Sequence, residues 1–185
     1  MQALIELRRI LRYLFGKRSE IADLDLRDAL MSKVVLDIHR KRIDKVIVRV
    51  PLFALRQIHR LDRENSQLAT QQRVEALEAH RHTLLALGGL SLDTLARYLP
   101  SVSQIKVVEA APDTWLAFEG NGRIAALQTV FTPQDGLWVE VEQYRFRNTR
   151  KIVRRLDRVR RMNDLLPQAS DGAGDGDADG DSPRA

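Results

Sequence analysis

Four residues, Gly120, Asn121, Gly122 and Arg123, sit between two apolar runs of different period. Trp115, Leu116, Ala117 and Phe118 precede them as a continuous run suited to a buried strand. Ile124, Ala125, Leu127, Val130 and Phe131 follow at helical spacing. A strand, a glycine turn and a helix in this order leave backbone N–H groups unpaired at the helix opening, where the helix dipole adds partial positive charge. Arg123 brings five donors and a permanent charge to the same point. The chemistry this suits is anion binding, most naturally of a phosphate. Taken alone, the two glycines serve equally well as a plain turn. The motif is not a Walker loop, since no Gly-Lys-Ser/Thr follows, and it lacks the third glycine of a dinucleotide fingerprint.

Proton-transfer and metal chemistry have fewer candidates. Glu119 is the one acid adjacent to the turn; it suits a base, a cap on the glycine turn, or a partner for Arg123. Strand alternation puts Glu140, Glu142 and Tyr144 on one face, with Glu109 on a neighbouring strand, but no second carboxylate or magnesium pair is distinguishable. Glu119 is therefore the sole catalytic candidate, and the sequence leaves open whether the protein is an enzyme. His80 and His82 diverge on a helix, no HExxH spacing exists, and Glu78 adds no third ligand, so no metal site is expected. With no cysteine in the chain, thiolate metal sites and disulfide scaffolds are excluded.

A third group of residues is cationic. Residues 148–166 read as a helix with Ile152, Leu156, Val159 and Met162 on one stripe, while Arg147, Arg150, Lys151, Arg154, Arg155, Arg158, Arg160 and Arg161 cover much of the rest. A merely solvated face usually mixes signs. Arg150, Lys151, Arg154, Arg155 and Arg158 are thus candidates for contact with a nucleic-acid backbone or an acidic protein, without base readout. Pairing with acids of the same chain is the competing reading.

These groups must be positioned by one domain-sized core. The chain has 185 residues, 44% hydrophobic and 30% charged, as in an ordinary soluble globular protein. Residues 1–15 read as an amphipathic helix, with Leu4, Leu7, Leu11 and Leu14 opposite Arg8, Arg9 and Arg12. A second helix is expected over residues 25–42, then a strand over 43–50 before Pro51. A long helix is expected over 66–87, ended by Gly88 and Gly89, and a short one over 92–99, capped by Ser91 and ended by Pro100. Strands follow over 104–110, 114–119 and 137–146, with a helix over 124–131. Residues 171–185 carry five aspartates against Arg184, a composition that cannot bury a core; the remaining 29 basic and 20 acidic residues leave the body at +9. No apolar run approaches the roughly 18 residues of a membrane span, and no signal peptide is evident, so a cytoplasmic location is the default expectation.

The order strand 104–110, strand 114–119, GNGR turn, alanine-rich helix and strand 137–146 resembles the core of the ParB/sulfiredoxin superfamily. Gly120 to Arg123 match its Gly-x-x-Arg turn, and Ala125, Ala126 and Leu127 match the helix that follows. Upstream, Lys45 to Leu52 resembles the opening strand and its hydrophobic-Pro-Leu turn. The resemblance implies an α/β (α+β) fold with a small mixed sheet. Its core spans 45–146, between an N-terminal helical segment (1–44), a basic C-terminal helix (147–168) and an acidic tail (169–185). It implies that Gly120, Asn121, Gly122 and Arg123 contact the phosphates of CTP or ATP, with magnesium. It also implies a carboxylate near the turn as base in kinase-like relatives, which here would be Glu119. Asn121 stands where sulfiredoxin has its reactive cysteine, so that chemistry is excluded. Gly122 stands where the family often has a histidine or arginine, one donor fewer. Too little chain follows the core for a complete partition protein.

Overall fold

The computed structural model describes residues 26–166; the expected helix over 1–15 and the acidic tail lie outside the described residues. Within them the chain is α+β, six α-helices around one six-stranded mixed sheet. Helix α1 (Leu26–Lys41) leads into β1 (Asp44–Pro51), a single 3-10 turn (Leu52–Ala54) and β2 (Leu55–Gln57). Then come α2 (Glu64–Glu78), α3 (Arg81–Ala86), β3 (Gly89–Leu90) and α4 (Leu92–Tyr98). The hairpin β4 (Lys106–Ala111) and β5 (Thr114–Glu119), α5 (Asn121–Val130), β6 (Trp138–Arg145) and α6 (Thr149–Met162) complete the order.

The sheet runs β1-β6-β4-β5-β2, with β3 also paired to β6. All eight residues of β1 pair antiparallel with β6, from Asp44 opposite Arg145 to Pro51 opposite Trp138. On its other side β6 takes β3 at Trp138 and Val139, then β4 at Glu142 and Gln143, both parallel. Pro51 fits because β1 is an edge strand, where a missing N–H breaks no ladder.

Alternation along the strands divides the core in two. Val107, Ala117, Val139 and Val141 point to one face, where α2, α3, α4 and α5 cover them with Leu77, Leu84, Leu95 and Leu127. Val108, Leu116, Phe118 and Tyr144 point to the other face, covered by α1 through Val34 and Ile38 and by α6 through Ile152, Leu156 and Val159. Helices α1 and α6 thus share one sheet face with each other. Among the described residues no helix is long and apolar enough to cross a membrane.

Two local expectations change. The helix expected over 66–87 begins earlier, at Glu64, and breaks at Ala79 and His80 into α2 and α3. His80 leaves helical geometry (φ −119°, ψ 9°), and Arg81 then anchors the new start, its guanidinium bonded to the Val130 carbonyl and to both Asp135 oxygens at 3.3 Å. Leu77 before the bend and Leu84 after it both lie in the core. Helix α5 opens at Asn121, three residues before the expected start, because Gly120 alone makes the turn.

Ser91 caps α4 as expected, its hydroxyl accepting from the Thr94 N–H at 3.2 Å. Ser91→Ala is expected to cost about 1 kcal/mol, read as a lower denaturant midpoint with an unchanged slope.

Candidate functional site

Glycine 120 is left-handed (φ +90°, ψ 15°), and a Cβ there would lie 2.9 Å from Ile105 Cγ1 and 3.2 Å from its Cα. Its carbonyl accepts from the N–H groups of Arg123 and Ile124 at 3.0 and 3.1 Å. The N–H groups of Asn121 and Gly122 have no acceptor among the described residues and open at the helix mouth.

The first turn of α5 is polar yet buried. Asn121 is 4% exposed, and its Oδ1 accepts from the Ile58 N–H at 3.0 Å, tying the segment after β2 to the start of α5. Arg123 is 6% exposed and donates from one guanidinium nitrogen to the Ser103 carbonyl at 2.7 Å. Burial, and then the neighbouring Arg73 cation, push the Arg123 pKa below its ordinary value against a smaller opposing pull from the Glu119 carboxylate; an arginine nevertheless stays charged. No carboxylate oxygen among the described residues lies within 4.0 Å of either guanidinium.

Arg73 comes from α2 and was not legible as a site residue. A Cβ on Gly122 would meet Arg73 and Thr70 Oγ1, each at 3.2 Å, so α2 passes directly over that glycine. Sequence spacing offers no sign of this, because 49 residues and two helices separate the two positions. The only trace is Gly122 itself, a glycine inside a helix's first turn where another backbone or side chain approaches closely.

These groups line an open cleft of about 370 Å³ between α2 and α5. His59, Asn65 and Ser66 add polar groups, while Leu61 and Ala69 add apolar surface. His59 Nδ1 lies 2.9 Å from the Arg60 carbonyl, so Nδ1 carries the hydrogen and Nε2 is the acceptor of the neutral ring.

Glu119 lines the same cleft but neither caps the turn nor pairs with Arg123. Its Oε2 holds Lys106 Nζ at 2.8 Å and its Oε1 lies 3.3 Å from His39 Nε2, which joins α1 to the end of β5. Burial raises the Glu119 pKa, but Lys106, with hydrogen bonds from Ser103 and His39, outweighs it and holds the carboxyl below its ordinary value. Both features make it a weak proton acceptor. The ionised form of Glu119 therefore stabilises the fold above the ordinary glutamate range, and this is lost as pH falls through the lowered value. Lys106→Met is expected to raise that value and to flatten the loss of stability on acidification below about pH 5. A ¹³C titration of the Glu119 carboxyl reads the shift; an unmoved titration would contradict the pairing.

The cationic candidates lie elsewhere. Arg150, Lys151, Arg154 and Arg158 are exposed on α6, whereas Arg155 forms an ion pair with Asp37 of α1. Arg155 thus helps dock the two helices together. His80 and His82 are both exposed, and His80 rests on Tyr98 with ring centroids 5.0 Å apart. Among the described residues no three His, Cys, Asp or Glu side chains cluster to hold a metal ion.

Fold and cleft together define an α+β protein with a mixed sheet and a cationic cleft at the opening of α5. Compared with protein families, characterised proteins and solved structures, the chain matches none.

Proposed function

We propose that the cleft between α2 and α5 binds a nucleotide through its phosphates, in the manner of a ParB-like domain. The observation that carries this is Arg123, more than nine-tenths buried beside a second guanidinium, with no carboxylate oxygen of the described residues within 4.0 Å of either and only a weaker, longer-range pull from Glu119. A buried cation held beside a second, half-buried one is costly unless an anion joins them. A phosphate supplies that charge, and its oxygens accept from planar guanidinium forks and from the open N–H groups of Asn121 and Gly122. Arg73 stands in the space over Gly122 and provides the donor that the glycine lacks. Leu61 and Ala69 offer apolar surface for a base.

The one carboxylate of the cleft is committed to Lys106 and His39, so magnesium would be carried by the nucleotide's own phosphates. Glu119 is then a positioning residue between α1 and the cleft, and the reading is of binding without an assigned reaction. Calorimetric titration of the protein with CTP, ATP and ADP in the presence of magnesium tests it. Saturable binding of at least one is expected; no heat with any of them would reduce the turn to a structural element.

A further inference from the structure

The exposed cations of α6 fall on a single line. At 100° per residue, Arg150, Lys151, Arg154 and Arg158 lie within an arc of about 100°, opposite the arc that holds Ile152, Leu156 and Val159, and Arg147 stands exposed just ahead of the helix. From Arg150 to Arg158 the stripe runs about 12 Å, the rise of roughly three to four nucleotide steps of one strand in a duplex. It contains no acid. Asp37 and Asp157, acids of α1 and α6, are already taken by Arg155 and Arg160.

Tertiary packing lengthens this stripe in a way spacing along α6 does not show. The basic last turn of α1 meets the start of α6 at a second cleft, of about 400 Å³. Arg40, Lys41 and Arg42 line it from one side and Arg147 and Lys151 from the other, with Phe146 beneath. The positive end of the α6 dipole opens at the same place. Eight exposed cations from two helices and the residues flanking them therefore form one surface, on the sheet face opposite α5.

We infer that this surface binds the phosphate backbone of duplex DNA without reading sequence. The partner's class follows from what the surface lacks. A helix lying on a membrane buries its apolar face in lipid, but here Ile152, Leu156 and Val159 are spent in the core. A protein interface centres on a cluster of apolar or aromatic anchors; the α6 stripe has none, and the cleft beside it exposes a single large one, Ile43. A line of arginines suits a regular row of phosphates. The inference is independent of the nucleotide reading, because the two surfaces share no residue.

The test is fluorescence anisotropy of a labelled 20-base-pair duplex of arbitrary sequence, titrated with the full chain between 50 and 200 mM KCl. If Arg147 and the four stripe cations of α6 each contact one phosphate, the logarithm of affinity should fall with the logarithm of salt at a slope of about −4.5. Combined Arg150→Ala, Arg154→Ala and Arg158→Ala should cut that slope by about 2.7 and weaken binding at 100 mM KCl by at least tenfold. Their exposure means that circular dichroism should be unchanged, and Arg123→Ala should keep the wild-type slope. Absence of duplex binding at 50 mM KCl, or an unaltered slope in the triple variant, would overturn the inference. So would stripe-dependent retention on phosphatidylserine vesicles, or displacement by polyglutamate at equal charge, with no preference for DNA.

Discussion

Arg123→Ala is expected to weaken nucleotide binding about 100-fold while leaving the protein folded. Hydrogen bonds to charged groups contribute about 1.5–3 kcal/mol each, and losing a forked contact to phosphate removes about 3 kcal/mol. The effect on the free protein is smaller because two consequences oppose each other. The variant loses the 2.7 Å bond to the Ser103 carbonyl, yet it also removes a buried cation from beside Arg73. Calorimetry with the nucleotide that binds the wild type, paired with thermal denaturation, separates the outcomes. Lost binding with a nearly unchanged melting temperature supports the cradle. Undiminished binding would place the phosphates elsewhere, and a collapse of the fold would make Arg123 a structural residue.

Gly120→Ala carries the largest expected effect on stability. An alanine at φ +90° is strained by about 1–2 kcal/mol. Its Cβ would also press on Ile105, which is fully buried and presents its own backbone at 3.2 Å, so no flexible group can yield. Overpacking adds about 1–3 kcal/mol, for a total of about 2–5 and a melting temperature lowered by roughly 4–20 °C. Gly136 is the control, because its φ is +62° and a Cβ there meets nothing within 4 Å. Gly136→Ala should therefore show the backbone strain alone, about 1 kcal/mol. Equal losses at both positions would mean that the approach of Ile105 does not matter.

The contrast between these residues shows where local reasoning holds. Strand β5 and the hairpin before it follow from apolar runs and breaks that act within a few residues, and Ser91 announces its helix for the same reason. The break at His80 was hidden, since the local pattern is helical on both sides and the bend is imposed by Arg81 reaching Val130 and Asp135. At the candidate site, Gly120 to Arg123 could be picked out because a turn and a charge are written in adjacent positions. The fate of Glu119 could not, because Lys106 and His39 arrive from other elements.

By itself, then, the sequence determined the α+β class, the positions of the four longer strands but not of the short β2 and β3, the glycine turn into α5 and the cationic character of α6. Each depends on period, composition or a single residue's backbone preference, all properties of neighbouring positions. Only the tertiary structure decided that Arg73 lies over Gly122, that Arg123 is buried with no carboxylate of the described residues in ion-pair contact, that Arg155 is spent on Asp37, and that α1 extends the basic stripe. Those are meetings between residues far apart in the chain, set by which sheet face each helix covers, and no local pattern encodes them.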